Sequence, residues 1–205
     1  MSTSIGAGVA KPYHHGHLRE ALVEAALATA RAEGPGAVVL RAATRAAGVS
    51  PNAAYRHFAD RDDLLRAVAA RSQQQMAALM QARLDQAGPL PGPGGAWQRL
   101  RTAGHAYVEF ALTEPGWFAT AFAIPLDLPA DGRGQDPGLF AILVSVLDEL
   151  VTSGAIAPEA RPGAEYVAWS AVHGIATLLT SGSLRNLPAA DRNTAIDRVI
   201  NAVAF

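Results

Sequence analysis

Apolar residues recur along this chain at three- and four-residue intervals, in blocks punctuated by glycine and proline, and no stretch of any length alternates apolar with polar positions. The first pattern marks helices packed along one face; the second absence argues against half-buried strands. Leu18, Leu22, Ala25, Ala26 and Thr29 form one stripe, which predicts a helix from Leu18 to Glu33, stopped by Gly34-Pro35-Gly36. Short helices are predicted at 41–47 and 51–57. A long helix follows from Arg61 to Gln86, capped by Asp60, with Leu64, Leu65, Val68, Met76, Leu79 and Leu84 near the helical period. Gly88 to Gly95, reading GPLPGPGG, is a junction. Beyond it come a helix over Ala96–Thr113, a break at Pro115-Gly116, a short aromatic segment with Trp117, Phe118 and Phe122, and a loop over Pro125–Pro137. Three amphipathic helices over 138–153, 163–181 and 189–204 complete an all-α chain of about nine helices, with no internal repeat.

The stretch LRAATRAAGVSPNAAYRHFADRDDLL, Leu40 to Leu65, carries the most specific signal. Gly48 suits the left-handed position that closes a helix, Val49 anchors the turn, Ser50 is an N-cap type, and Pro51 stands where a helix tolerates proline best. Ala54 and Phe58, four apart, share a buried face. Asn52, Ala53, Tyr55, Arg56 and His57 are left for the other faces. This is the layout of a helix-turn-helix, whose second helix enters a DNA major groove. An ordinary helical corner has the same outline.

Composition narrows the field without deciding it. Half the 205 residues are apolar and 17% charged, enough for a sizeable core and too apolar for a disordered chain. There is no cysteine, hence no disulfide framework, thiolate nucleophile or zinc-thiolate site. The opening MSTSIGAGVA has no basic start or apolar stretch of a signal peptide, and the apolar run Leu139–Val146 is too short to span a bilayer. A cytoplasmic protein with no membrane partner is expected. The net charge of −1 hides an asymmetry: residues 1–75 hold nine Lys and Arg against six Asp and Glu, and residues 76–205 hold eight against twelve. A basic head on an acidic body fits a chain that meets DNA with its head alone.

The run Ala47-Gly48-Val49-Ser50-Pro51, followed by Tyr55-Arg56-His57-Phe58 and Leu64-Leu65, resembles the DNA-binding domain of the TetR-type transcriptional regulators. The resemblance extends upstream through Tyr13-His14-His15-Gly16, Leu18 and Glu33-Gly34-Pro35, and covers roughly residues 13–70. Trp169, His173 and Gly174 resemble the Trp-His-Gly signature of one ligand-domain subgroup of that family. There are departures. Val39 stands where the family caps the first motif helix with Ser or Thr. Arg61 stands where a phosphate-binding lysine is frequent. Ala43 and Thr44 replace a larger apolar residue followed by alanine, which thins that helix's contacts. The resemblance implies a flexible arm over 1–12, a helix-turn-helix domain over 13–70, and a helical ligand-binding and dimerisation domain over 71–205. It also implies operator DNA, a small-molecule effector and a second copy as partners, the dimer being made by the last two helices. Val167, Val172, Ile175, Leu178, Leu179, Ile196, Val199, Ile200 and Val203 could serve that interface or the core; periodicity does not separate the two.

The residues expected at DNA are Arg41, Arg45, Ser50, Asn52, Ala53, Tyr55, Arg56, His57 and Arg61. Arg56 is the candidate for a bidentate guanine contact, Asn52 could read adenine or cap its helix, and Tyr55 and His57 can each donate to a phosphate. The residues expected at the effector are His105, Trp117, Phe118, Phe122, Trp169 and His173, with Tyr107 part of the same aromatic supply. Trp169 and His173 share a helical face, where they either line a cavity or pack the core. His14, His15 and His17 could suggest a metal site, but their spacing is crowded and no carboxylate or cysteine is paired with them, so a metal site is the weakest reading. A backbone contact to DNA or a solvated arm are the alternatives. No cofactor is expected. The competing functions are an enzyme and a protein-interaction module. The chain has no phosphate loop, metal-ligand spacing or nucleophile elbow, although His105, His173 and scattered acids leave a hidden acid–base set open. The expectation is a repressor released from its operator by a small, mostly apolar effector.

Overall fold

The computed structural model describes residues 15–125 and 138–205, and among them nine α-helices and no strand. The arm expected over 1–12, Tyr13, His14, the side chains of His15 and His17, and most of the loop expected over Pro125–Pro137 lie outside the described residues. Helix α1 spans His15–Glu33 and a 3-10 turn follows at Pro35–Ala37. Its buried face is Leu18, Leu22, Val23, Ala26, Leu27 and Ala30. The expected stripe was rotated by about a quarter turn: Ala25 and Thr29 are only half-buried. The reason is that this helix is flanked on two sides, by the motif helices and by the long helix, and a single stripe cannot describe it.

Helices α2 (Leu40–Ala47) and α3 (Pro51–Ala54) form the motif, and α4 runs from Arg61 to Ala87. Asp60 starts α4 as expected: its carboxylate accepts from the Asp63 N–H at 2.8 Å, and Asp63 in turn accepts from the Ala59 N–H at 3.1 Å. The first bond satisfies an orphan donor of the helix start, and the second ties the residue before the N-cap to the same turn. Phe58 is fully buried at the centre of a head core that includes Leu22, Val38, Ala54, Leu64 and Val68.

The body adds α5 (Gly92–Thr113), α6 (Pro115–Ala121), α7 (Leu139–Thr152), α8 (Ala164–Thr180) and α9 (Ala189–Asn201). Helix α5 begins four residues before the expected Ala96, because Pro93 falls in the first turn, where its missing N–H costs nothing. Helix α9 ends before the expected 204; the chain leaves it so that Phe205 can stack on Trp97, centroids 5.9 Å apart. The main body core begins at Met76 of α4 and gathers Leu84, Leu100, Tyr107, Phe110, Leu147 and Leu150. Helix α4 therefore serves both cores, the first half for the head and the second for the body. A third cluster joins Val108 of α5 to Ile175 and Leu179 of α8 and to Ile196 and Ile200 of α9. Bidentate Arg99–Glu149 and Arg161 on Asp148 and Glu165 tie the outside of the body. No described helix is long and apolar enough to cross a membrane.

Candidate DNA-binding surface and interior cavity

Gly48 closes α2 at φ 68°, ψ 30°, in the left-handed region where a side chain is strained. Its N–H donates to the Arg45 carbonyl at 3.3 Å, and the Val49 N–H to Thr44 at 3.0 Å, the paired bonds of a Schellman end. Val39, at the N-cap of α2, makes no side-chain cap, as its side chain requires. Ala43 and Thr44 are both buried, and the Thr44 hydroxyl donates to the Arg41 carbonyl at 3.0 Å. A β-branched polar residue thus fills a core position without an orphaned group.

Two expectations at the motif need correction. Ser50 occupies the N-cap of α3 in extended conformation, yet its side chain makes no cap bond and stays exposed. Regular α-helix in α3 also ends at Ala54 rather than at residue 57. From there the chain tightens into turns, with the N–H groups of His57 and Phe58 both donating to the Ala54 carbonyl at 2.9 and 3.0 Å. The tightening swings Phe58 into the core and leaves its neighbours outside.

Those neighbours are the side chains expected at DNA. Tyr55 is 58% exposed, one of few large apolar residues so placed. Arg41, Arg45, Asn52 and Arg56 are exposed, and Ala53 and His57 are half-buried. Among the described residues none of Arg41, Arg45 and Arg56 is in an ion pair, so their charge is not neutralised within the chain. Arg61 is different. It donates to the Pro35 carbonyl at 2.8 Å and lies 3.4 Å from the Asp62 carboxylate, so it clasps the start of α4 to the turn after α1. Arg19, which no pattern singled out, lays its guanidinium 5.1 Å from the Phe58 ring on the exposed side of the head.

Inside the body a cavity of about 40 Å³ lies among α4, α5, α7, α8 and α9, walled by Met80, Leu100, Tyr107, Phe140, Trp169 and Val203, with other apolar groups. From its wall a hydrogen-bonded relay runs back to His173. The Trp169 indole N–H donates to the Tyr107 oxygen at 3.1 Å, and Tyr107 Oη lies 2.8 Å from His173 Nδ1. An indole can only donate, so the tyrosine proton is free to point at the imidazole. A neutral His173 with its proton on Nε2 accepts from the tyrosine at Nδ1; the other tautomer reverses the bond. Burial pushes the same way: it lowers the His173 pKa and raises that of Tyr107. Phe122 and Phe118 pack on the His173 ring with centroids 4.7 and 5.6 Å away.

The six residues expected at the effector are therefore sorted. Trp169 is on the cavity wall; His173, Phe118 and Phe122 form the layer behind it. His105 is exposed, its Nε2 3.6 Å from an Asp197 carboxylate oxygen. It stands two positions from Tyr107, about 200° round α5, and cannot share its face. Trp117 is elsewhere too. Its indole donates to the Leu27 carbonyl of α1 at 2.9 Å, beneath the Arg31 guanidinium at 4.8 Å. Tyr107, buried and central to the relay, is the residue that sequence reasoning left as mere aromatic supply. Its helical spacing looks like any core position, and only its partners on α8 distinguish it.

Helix α6 separates these two environments. Phe118 and Phe122 face the relay, whereas Trp117 and Gly116 face α1. A Cβ on Gly116 would lie 2.3 Å from the Arg31 carbonyl oxygen and 2.4 Å from that of Ala30, so only glycine allows this approach. Arg31 donates to the Glu114 carboxylate at 2.6 Å, and Gln73 of α4 to the Ala121 carbonyl at 2.7 Å. Both ends of α6 are thus fastened to the helices of the head.

Comparison with known proteins agrees with both halves. Residues 22–68 match the model for bacterial regulatory proteins of the tetR family, and residues 100–203 match that for the tetracyclin repressor-like C-terminal domain. A solved structure of a protein of unknown function from Rhodococcus sp. RHA1 is similar over 96% of this chain and 100% of that one, at 27% identity and a TM-score of 0.67. A TetR family transcription regulator from Marinobacter aquaeolei VT8 shares the fold over 92% of this chain and 96% of its own, at 21% identity and a TM-score of 0.62. No curated protein matches the chain.

Proposed function

The chain belongs to the TetR family of bacterial regulatory proteins, and from that premise we propose that it is a homodimeric repressor released from operator DNA by a small, mostly apolar effector. That it is a DNA-binding transcriptional regulator follows from the family. Repression, the effector and the assignment of residues are our reading. In it, residues 13–70 hold the operator and residues 71–205 bind the effector and the second copy. No catalytic role is assigned, and the cytoplasm is the place of action.

The observation that carries the reading is the placement of Tyr55 and Arg56. They follow a left-handed Gly48 turn and stand out from the turn after α3, while Ala54 and Phe58 on either side are locked in the core. A short, polar, cationic helix end on a rigid support suits base edges and phosphates. Arg41 and Arg45, exposed on the preceding helix, supply backbone charge. Arg61 serves this surface by bracing it.

Dimerisation is supported by α8. Tyr166, Val167 and Leu178 are 57%, 51% and 42% exposed on it, and a Cβ on Gly174 would meet nothing within 4 Å. Ile175, Leu179, Ile196 and Ile200 are spent inside the protomer and do not belong to that interface. Against a second copy, α8 and α9 would form a four-helix bundle.

Release follows from the size of the cavity. Ligand pockets usually measure roughly 300–1,000 Å³, far above the volume present here, so an effector must push the walls apart. It then binds an expanded state more tightly than this one, with a coupling on the order of 1–3 kcal/mol. Displacement of Tyr107 or Trp169 would move Phe118 and Phe122, and with them α6, which leans on α1 and α4. The spacing of two heads would change. Selection of bound DNA from a random pool, repeated with candidate effectors, tests the whole proposal. A palindrome whose binding falls steeply with salt and is released by one compound is expected; failure to enrich any sequence would sink it.

A further inference from the structure

We infer that the effector of this cavity is an electrically neutral molecule with a hydrocarbon body and a single hydrogen-bond donor, which it gives to the Tyr107 oxygen. The inference rests on the proposed effector site. Among the described residues that line the cavity, only Tyr107 and Trp169 carry a hydrogen-bonding side-chain atom, and none is charged. The rest of the wall is hydrocarbon and ring, with the Met80 thioether.

The relay decides what those two atoms can offer. Trp169 has one N–H, and it is committed to the Tyr107 oxygen. Tyr107 has one O–H, and Oη lies 2.8 Å from His173 Nδ1; with the imidazole proton on Nε2, the tyrosine donates to Nδ1. Among the described lining residues no side-chain donor then remains for a ligand that only accepts, such as a ketone, an ether or a carboxylate. What remains is acceptor capacity: a phenolic oxygen has two lone pairs, and Trp169 occupies one. A ligand hydroxyl can use the second and leave the relay intact. Among the described lining residues an ionised group finds no charged partner, and burying one without a partner costs far more than a hydrocarbon wall returns. Burial favours the neutral forms of Tyr107 and His173, so neither supplies a countercharge.

The test uses the full chain without DNA at neutral pH and titrates five probes of one ring size by calorimetry: phenol, toluene, anisole, benzoate and benzylammonium. Phenol should bind roughly 2- to 10-fold more tightly than toluene, the span of one neutral hydrogen bond. Anisole, which has the oxygen without the donor, should bind like toluene. Benzoate and benzylammonium should give no binding where phenol saturates. In Tyr107→Phe the difference between phenol and toluene should vanish while toluene still binds. Equal binding of an ionised probe, anisole matching phenol, a phenol preference that survives in Tyr107→Phe, or no binding of phenol and toluene would each overturn the inference. Operator affinity measured separately, with no probe present, reports on the regulator reading alone, so the two can fail independently.

Discussion

Trp117 donates its indole N–H to the Leu27 carbonyl across 2.9 Å, and that bond joins a helix of the body to the first helix of the head. Its immediate neighbour Phe118 packs on His173, 5.6 Å between centroids. One turn of α6 thus touches both the interior of the body and the first helix of the head, and the bond is one of few polar ties between them among the described residues.

Replacing Trp117 by phenylalanine keeps a ring on α6 but removes the donor and part of the packing surface. The Leu27 carbonyl then loses a partner, and stability should fall by at least about 0.5–1.5 kcal/mol in denaturant titrations. The ratio of operator affinities with and without effector should shrink as well. An unchanged ratio would place the coupling in α4 or in the Arg31–Glu114 and Gln73–Ala121 contacts instead.

Gly116→Ala and Gly174→Ala make a matched pair. The first drives a Cβ into the backbone of Arg31 and Ala30, and should cost about 1–3 kcal/mol and lower the melting temperature. The second meets open space within the protomer and should leave protomer packing undisturbed. If α8 faces a second copy, Gly174→Ala should still weaken the dimer, read by sedimentation across a dilution series. Leu178→Glu, on the same exposed face, should give folded monomers. A dimer that persists with Leu178→Glu would move the interface away from α8.

At the DNA surface, Arg56 and Arg61 should separate. Arg56→Ala should lower operator affinity by about 1–3 kcal/mol and relax preference at one base pair, as loss of a bidentate contact does. Arg61→Ala removes the bond to the Pro35 carbonyl, so part of its effect should appear as lost stability with no DNA present. Arg45→Ala should weaken binding evenly across sequences and flatten its salt dependence. Band shifts at several salt concentrations, with thermal melts alongside, distinguish the three.

His173 gives a pH dependence of definite sign. Burial holds its pKa in the folded protein below the ordinary 6.5. The unfolded chain therefore takes up the proton first as pH falls, and binding by the unfolded state lowers stability. The contribution is fully present above pH 6.5 and is lost on acidification until the folded-state pKa is passed. Protonation would also place a second donor against the Tyr107 hydroxyl and break the relay. Stability measured from pH 8 to pH 5 should decline less steeply in His173→Gln. Parallel curves would mean that the imidazole is not buried neutral.

The parts of this molecule legible from sequence are those where a residue acts on its own turn. Gly48 predicts a helix end because its conformation is a property of the residue, and Asp60 predicts a start because its carboxylate reaches a donor three residues on. Ala54 and Phe58 predict a buried face from their spacing. Ser50 shows the limit: the residue type suits a cap, yet the loop before it aims its hydroxyl at solvent. Arg61 shows another. A free cation and a bracing one look alike until the Pro35 carbonyl, 26 positions away, is brought within 2.8 Å.

By itself, then, the sequence determined nine helices, the Gly48 turn and the outward set of side chains on the motif, since backbone preference and helical period act over one or two turns. The tertiary structure alone decided which aromatics share an environment. Tyr107 meets His173 across 66 positions and Trp117 meets Leu27 across 90, whereas His105 and Trp117, grouped with the cavity by type, turn away from it. Contacts at that separation depend on how whole helices cross, and hydrophobic spacing along any one helix carries no record of its partner.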